Sequence, residues 1–238
     1  RVGNFVIDSI EGDVRVSLGL LSTSVETIPP ARIHALQISQ PWPWKFLGWW
    51  RVDANLASSP GSANKKTPAH TLLLPVATTR EMVRMVELCL PSLRDESAMA
   101  QVTTLLQQPH AQWAEAGMED ESHVGASRRA RFRIPLSYGV TGSAVIRGVV
   151  ALRSGRWITK LALVPLARIQ SSSVSQGPWH RALGLSVFAV ESVEGPVSTR
   201  VVGLDTKDAW RWWDTVHALT VGAIGDTTTT RRRRRTPA

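Results

Sequence analysis

The sequence has few of the features that many functional classes require. Its single cysteine, Cys89, excludes an intramolecular disulfide, and a lone thiol suits a reducing compartment. No apolar run approaches the roughly 18 residues of a membrane-spanning helix. The six histidines lack metal-ligand spacing, and the sequence shows no glycine-rich phosphate loop or nucleophile elbow. We therefore predict that the protein is not an enzyme and uses no cofactor and no metal.

The net charge of +9 is concentrated in two short segments. Proteins that grip a duplex over a broad face usually spread their basic residues across the fold, and here the remaining body is formally near neutral. The pattern is typical either of solvated, flexible ends or of segments that direct the protein to an anionic partner by charge. The arginines concerned are Arg128, Arg129, Arg131 and Arg133 in one segment and Arg231, Arg232, Arg233, Arg234 and Arg235 in the other.

The sequence repeats itself without gaps at a shift of 136 residues. Residues 28–33 (IPPARI) return at 164–169 (VPLARI). A fixed offset indicates one structural unit built twice, and the length leaves room for two domains of roughly 100 residues each. We predict domains at 1–91 and 130–221, joined by a linker at 92–129 that contains one short helix within 98–108, and followed by a disordered basic tail at 222–238. The repeat-defining pairs are Arg32 and Arg168, Gln40 and Gln176, and Gly48 and Gly184.

Each unit has the pattern of several strands followed by one helix. Alternating apolar and polar residues predict strands at 4–11, 13–20, 24–28, 33–39, 49–57 and 71–76. Thr78 and Glu81 have the spacing of a capping box, which predicts a helix from Thr79 to Leu90. In the second unit Asp205 is the predicted N-cap of a helix over 206–219. The residues predicted to face the sheets are Met82, Met85, Val86, Ala209, Trp212 and Trp213.

The pattern at 28–53 and 164–191 resembles a known family. In each segment an apolar-Pro-x-x-Arg-Ile strand is followed by Ser-Gln, a Pro/Trp stretch, a basic residue-x-Leu-Gly and an apolar strand. This order is similar to the bacterial PH-domain family, specifically to the YdbT-like membrane proteins, and residues 72–91 resemble the end of its fold. The resemblance implies a mainly β fold with one C-terminal helix per unit, that is, two tandem PH-like split barrels or β-sandwiches.

The resemblance also implies a location. Family members carry several such units with transmembrane helices before or between them. The chain begins at Arg1 and not at methionine, so we expect it to be the C-terminal, cytoplasmic-side pair of a longer membrane protein, with the membrane-spanning helices upstream. Unlike phosphoinositide-binding PH domains, the first hairpin of unit one is acidic. Unit two holds Arg147, Arg153 and Arg156, which leaves inositol-phosphate recognition open there.

The tryptophans and the repeated residues are the candidate sites. Trp42 and Trp44 stand between prolines in a predicted loop, and we expect at least one to be more than half exposed, as suits a lipid headgroup region or a protein interface. Core packing is the alternative. Trp49 and Trp50 should lie on opposite faces of a strand. The repeated arginines are expected to fix a corner, the glutamines to satisfy backbone groups, and the glycines to permit a special backbone conformation or close packing.

The sequence therefore favours a non-enzymatic tandem PH-like module that acts as a scaffold or interaction platform at the cytoplasmic membrane face, with anionic lipid as partner. One alternative is a nucleic-acid-associated protein that uses the arginine tail. Another is a protein-binding or self-associating module with a tryptophan-rich surface. We further expect weak, salt-sensitive binding to anionic vesicles, most of which is lost when residues 231–235 are deleted.

Overall fold

The computed structural model describes residues 6–10, 13–18, 24–28, 32–56, 70–114, 118, 122–155, 157–193 and 195–234. The first half contains β1 (Val6–Ile10), β2 (Asp13–Leu18), β3 (Ser24–Ile28), β4 (Ile33–Pro41), β5 (Trp49–Leu56), β6 (His70–Thr78), α1 (Thr79–Cys89) and α2 (Glu96–Gln107). The second half contains β7 (His123–Gly125), β8 (Gly142–Ile146), β9 (Val149–Ser154), β10 (Ile158–Pro165), β11 (Ser171–Ser175), α3 (Pro178–Ala182), β12 (Leu185–Glu191), β13 (Arg200–Asp205) and α4 (Thr206–Arg234).

The strand bounds repeat at the offset seen in the sequence. Adding 136 to the bounds of β1 and β2 gives 142–146 and 149–154, which are the bounds of β8 and β9. The strands β4, β5 and β6 followed by α1 correspond in order to β11, β12 and β13 followed by α4. A mainly β fold that ends in a helix is therefore confirmed.

The halves meet in one continuous antiparallel sheet of seven strands, in the order β6-β5-β4-β10-β9-β8-β7. The join is the pairing of β4 with β10, in which Ile38 lies opposite Leu161. Two three-stranded sheets, β1-β2-β3 and β11-β12-β13, complete the described part. The predicted units are thus not separately packed, because the central sheet belongs to both.

Helices cover one face of the central sheet. The capping box predicted at Thr78 and Glu81 is present, and α1 buries the predicted Met82, Met85 and Val86. The α2 helix packs beside it against β8, β9 and β10. Because both helices contribute to one apolar cluster with residues of β4 to β6 and β8 to β10, a single core crosses the predicted domain boundary.

A second core lies on the other face of β9 and β10. Phe188 and Leu204 from the β11-β12-β13 sheet pack there against Val150 and Val164. The α4 helix closes this core with Trp212 buried and Trp213 partly buried, as predicted. Asp205 accepts a hydrogen bond from the Lys207 backbone N–H at 3.1 Å, which confirms its role at the helix start.

The connection between β12 and β13 fastens the second half to the first. The buried Asn55 side chain donates to the Val193 carbonyl at 3.1 Å and accepts from the Val197 N–H at 3.2 Å. Gln37 Oε1 accepts from the Ser198 N–H at 3.0 Å. A Cβ on Gly195 would lie within 2.1 Å of Asn55 Oδ1, so the connection fits only without a side chain there.

The predicted linker at 92–129 is wrong in its described part. Helix α2 buries Ala98, Val102 and Leu105, Trp113 is fully buried, and β7 is the last strand of the central sheet. The segment was interpreted as a linker because its polar and acidic residues dominate the composition. Its few apolar residues recur at helical spacing, however, and they complete the core over β8 to β10.

The predicted disordered tail also needs correction. Helix α4 continues to Arg234, so residues 222–234 are helical, while 235–238 lie outside the described residues. Once the packed first part of the helix has formed, each further residue adds a hydrogen bond without a new nucleation step. Among the described residues no helix is long and apolar enough to cross a membrane.

Candidate functional site

Several connections converge at one end of the central sheet. Strands β4, β7 and β9 end there, at Pro41, Gly125 and Ser154, whereas β8 and β10 begin there, at Gly142 and Ile158. Because neighbouring strands are antiparallel, the connections 42–48 and 126–141 lie along this edge, and so do residues 155 and 157. We call it the loop end.

An exposed aromatic corner lies at the middle of the loop end. The rings of Trp42 and Phe46 are 5.6 Å apart, and those of Trp42 and Trp157 are 6.3 Å apart, all edge to face. The side chains of Trp42, Phe46 and Trp157 are 51%, 78% and 62% exposed, respectively. Leu47 and Ile158 are exposed beside them in sequence. Clustered exposed apolar side chains make this corner a candidate interaction site.

Backbone geometry explains why these rings meet. The Trp42 N–H donates to the Trp157 carbonyl at 2.7 Å, which continues the β4–β10 ladder by one pair. Pro41 and Pro43 then end strand pairing, and residues Trp42–Lys45 form a 3₁₀ turn. Gly48 returns the chain to β5 with φ of +63°, in the left-handed region that favours glycine.

The predicted exposure of the tryptophans is confirmed. Trp42 is more than half exposed, while Trp44 is partly buried with its ring 6.2 Å from Trp49. Trp49 and Trp50 lie on opposite faces, one exposed and one buried. Sequence reasoning missed Phe46 and Trp157, because only the long-range β4–β10 pairing brings Trp157 to Trp42.

The repeated residues support the corner. Gln40 Nε2 donates to the Trp49 carbonyl at 3.1 Å, and Gln176 Nε2 donates to the Leu185 carbonyl at 3.0 Å, so the same contact recurs 136 residues later. Gly184 has φ of +65°, close to that of Gly48. The structural roles predicted for these four residues are confirmed. The predicted role of Arg32 and Arg168 stays a prediction, although Arg168 contributes, after burial, to lowering the pKa of His34.

A basic 3₁₀ helix, Arg128–Phe132, lies at the same end, where β7 leaves the sheet. Four strand spacings separate β7 from β4, which puts the basic helix about 19 Å from the aromatic corner along the edge. Arg128, Arg131 and Arg133 are exposed, and the Arg131 guanidinium lies 5.3 Å from the centroid of the exposed Phe132 ring. Arginines beside aromatic rings make this part of the loop end both cationic and apolar.

The second sheet presents its own corner beside the basic helix. Arg129 Nη1 lies 3.5 Å from the carboxylate of Asp205, at the start of α4. A Cβ on Gly184 would lie 3.2 Å from the same nitrogen. Gly184 follows α3, whose Trp179 is highly exposed.

The structure separates the two basic segments. Helix α4 begins next to Arg129, and residue 231 lies 25 residues further along it, about 38 Å away at the rise of an α-helix. The helix passes the Leu166–Arg168 turn, which follows the opposite end of β10. Trp42, Arg128 and Arg129 therefore lie at one end of the molecule, and residues 231–234 lie toward the other.

Of the three arginines that left inositol-phosphate recognition open, the two that the structure describes lie apart. Arg147 and Arg153 belong to opposite ends of β9. Arg147 contacts the Asp95 carboxylate at 3.1 Å, whereas the Arg153 side chain is only 3% exposed and donates to the Gln108 carbonyl. Arg156 lies outside the described residues. A single phosphate group cannot contact both Arg147 and Arg153.

Burial shifts the pKa of several titratable groups among the described residues. Burial raises the pKa of the Cys89 thiol to about 12 and lowers the pKa of the Arg153 guanidinium to about 10. His110 also has a lowered pKa, chiefly because it is buried. In the part of the chain that the structure describes, no group of three or more potential metal-ligating side chains occurs.

These observations define a class: a mainly β domain with a large antiparallel sheet and a C-terminal helix, consistent with a PH-like fold. Residues 126–220 match the family model of the bacterial PH domain. The match begins just before the basic helix and ends within α4, so it covers the second half and confirms the family resemblance for that half. Domains of this kind are in general non-catalytic interaction modules. No curated protein matches the chain.

Proposed function

We propose that the chain is a membrane-associated module that binds anionic lipid surfaces through its loop end and acts there as a scaffold or interaction platform. The proposal includes the cytoplasmic face of the cell membrane as the location, two tandem PH-like units, and a place within a YdbT-like membrane protein. The observation that carries it is the combination of an exposed aromatic corner with exposed arginines on one edge of the central sheet.

The aromatic corner supports insertion into a lipid interface. Tryptophan is favoured at the boundary between headgroups and acyl chains, because its apolar ring and its polar N–H are both accommodated there, and phenylalanine adds apolar surface that inserts beside it. The rings of Trp42, Phe46 and Trp157 are only partly exposed, so each contributes roughly 0.5 kcal/mol or more on insertion. This contribution does not depend on lipid charge and persists at high salt.

The basic helix supports a preference for anionic lipid. Each Lys or Arg near an anionic surface contributes about 1 kcal/mol, within a Debye length of about 8 Å at physiological salt. Arg128, Arg131 and Arg133 are exposed, and none of them forms an ion pair with another described residue that binding would have to break. Arg129, in contrast, is engaged with Asp205. The basic helix therefore adds a salt-sensitive part to the binding.

The loop end depends on both halves of the chain. The first half supplies Trp42 and Phe46, and the second supplies Trp157 and the arginines. A single unit would lack the β4–β10 pairing that brings the three rings together. This is a physical reason for a paired module instead of an isolated domain.

The test removes the three rings together. We expect Trp42→Ala/Phe46→Ala/Trp157→Ala to bind phosphatidylglycerol vesicles at least about tenfold more weakly in sedimentation, because about 1.5 kcal/mol of apolar insertion is lost. The matched control is Leu219→Ala/Val221→Ala/Ile224→Ala, which removes three exposed apolar side chains from the distal part of α4. The control should bind like the unchanged protein. Circular dichroism verifies that each variant is folded.

A second pair of variants tests the electrostatic part. Arg128→Ala/Arg131→Ala/Arg133→Ala should lose the preference for phosphatidylglycerol over phosphatidylcholine, and its binding should become insensitive to salt. The sequence alone predicted that deleting residues 231–235 removes most of the binding. With the loop end as the contact we expect a smaller effect, because residues 231–234 lie toward the opposite end of the molecule. Loss of binding in the α4 control or in the tail deletion, with the corner variant unaffected, would contradict the proposal and assign the membrane contact to distal α4.

A further inference from the structure

We propose that copies of this chain associate head to tail, with strand β3 of one copy pairing against the outer edge of β11 in the next. The partner is a second copy of this chain, and the contact is an antiparallel strand ladder. The inference rests on the repeat and on the join between the two halves, and it is independent of lipid binding.

The join inside the chain is the template. Strand β4 pairs with β10 so that each pair of residue numbers sums to 199: Pro41 lies opposite Ile158, and Ile38 opposite Leu161. In unit one the pairing strand, β4, begins at the repeated Arg-Ile (Arg32-Ile33), and in unit two the pairing strand, β10, precedes it (Arg168-Ile169). The contact is therefore head to tail and not two-fold symmetric.

Each partner in this join has a repeat counterpart at the other end of the molecule. Subtracting 136 from the paired residues of β10 gives 22–27, which overlap β3 (Ser24–Ile28). Adding 136 to the paired residues of β4 gives 172–177, which overlap β11 (Ser171–Ser175). Within the described residues, β3 pairs only with β2, and β11 pairs only with β12. Each strand of the join therefore has a repeat counterpart that is an outer strand among the described residues: β3 corresponds to β10, and β11 corresponds to β4.

The repeat also fixes the register. Transferring the β4–β10 pairs by 136 in each direction puts Ser24 opposite Ser175, Val25 opposite Val174 and Glu26 opposite Ser173. The bond from the Trp42 N–H to the Trp157 carbonyl puts even-numbered residues of β4 at hydrogen-bonded positions. Val174 is the counterpart of an even-numbered residue, so its backbone would bond to β3, while Ser173 and Glu26 would face each other at a non-hydrogen-bonded position.

Strand β11 has little to prevent such pairing. Outer strands are usually protected by charge, proline or a bulge. Strand β11 reads Ser-Ser-Ser-Val-Ser, without a charge or a proline, and Ser171, Ser173 and Ser175 are exposed. Trp213 Nε1 donates to the Ser172 carbonyl at 3.0 Å, which covers the beginning of the strand and leaves 173–175 for a partner.

The contact between copies should be weaker than the join inside the chain. At the join inside the chain, the side chains of Gln37 and Asn55 also form hydrogen bonds with the connection between β12 and β13. Their counterparts at the offset of 136 are Ser173 and Glu191, which do not reproduce an amide pair. We therefore expect reversible, concentration-dependent association and not a permanent oligomer.

A charge exchange across the proposed pair tests the inference. Sedimentation equilibrium of the full chain without lipid should show association. Ser173→Glu places a carboxylate opposite Glu26 and should raise the dissociation constant several-fold, whereas Ser173→Lys should lower it. Adding Glu26→Lys to Ser173→Glu should restore association. Equal dissociation constants for the two position-173 variants, or a failure of the double variant to recover, would overturn the proposal, as would a monomeric unchanged protein.

Cross-linking provides a second readout. Opposed residues at non-hydrogen-bonded positions have Cα atoms about 4.5 Å apart, within the range that a disulfide can span. A mixture of Glu26→Cys and Ser173→Cys proteins should form a mixed disulfide dimer, and neither protein alone should cross-link. Cys89 does not compete, since it is buried and its pKa is raised to about 12. Efficient cross-linking of Ser173→Cys with itself would show a symmetric β11 contact instead and would contradict the head-to-tail arrangement.

Discussion

Replacing Trp113 with alanine is expected to destabilise the protein by about 3–5 kcal/mol, the usual cost of removing a fully buried tryptophan. The Trp113 side chain is 0% exposed and belongs to the core over β8 to β10. Its indole N–H donates to the Gln108 carbonyl at 3.2 Å. A Cβ on Gly142 would lie 2.9 Å from its ring, so sheet and ring are in close contact. Alanine would leave a cavity that this rigid sheet cannot fill.

The matched control is Trp179→Ala, which removes the same side chain where it is 79% exposed. We expect a change within about 0.5 kcal/mol for that variant. Urea unfolding followed by circular dichroism measures the free energy of unfolding of both variants. In thermal unfolding, the melting temperature of the Trp113 variant should be roughly 10 °C lower. If the two variants are equally stable, residues 92–129 do not contribute to the core, and the linker predicted from the sequence would be restored.

The local pattern of the sequence was sufficient to predict most strands of the first half. Strand β3 has the predicted bounds, and the capping box at Thr78 begins α1 as expected. The glycine conformations at 48 and 184 followed from the repeat, because a residue that recurs at a chain reversal usually serves the backbone. These features depend on residues that are near one another in the chain.

The join of the halves could not be predicted in the same way. The pairing of β4 with β10 links residues more than 100 positions apart, and alternating polarity within a strand does not identify its neighbour. Trp157 was missed as part of the aromatic corner for the same reason. Trp42 was visible beside its prolines, but Trp157 acquires a role only through that pairing. The buried face of α2, in contrast, was present in the sequence as apolar residues at helical spacing.

Replacing Arg153 with methionine is expected to stabilise the protein by about 2 kcal/mol. The Arg153 side chain is 3% exposed, its Nε has no hydrogen-bond partner among the described residues, and no carboxylate is paired with it there. A pKa lowered to about 10 by burial corresponds to about 3 kcal/mol of unfavourable free energy for the charged form. The lost hydrogen bond to Gln108 offsets about 1 kcal/mol of this.

The methionine side chain should fit without a new unsatisfied group. It has a similar length to arginine and is flexible enough to fill the irregular space that the guanidinium leaves. The Gln108 carbonyl keeps the hydrogen bond from the Trp113 indole, so it is not left unpaired. Because Trp113 and Arg153 share this acceptor, their substitutions should not be additive, and the double variant should show a coupling of about 1 kcal/mol.

The pH dependence identifies the charge as the cause. The folded state releases the Arg153 proton near pH 10, whereas the unfolded chain holds it to a higher pH. Below pH 10 the folded protein therefore carries the full cost of the buried charge, and the free energy of unfolding rises as the pH passes through 10. The advantage of the Arg153→Met variant should accordingly be constant from neutral pH and decrease as the pH approaches 10.

Urea unfolding of both proteins across this range measures the difference, since other groups that titrate there are common to both. The control is Arg200→Met, which changes an exposed arginine and should leave stability within about 0.5 kcal/mol at every pH. A destabilised Arg153→Met variant would mean that the guanidinium has a partner that compensates its burial. An advantage that does not change with pH would mean that better packing, and not removal of the charge, stabilises the variant.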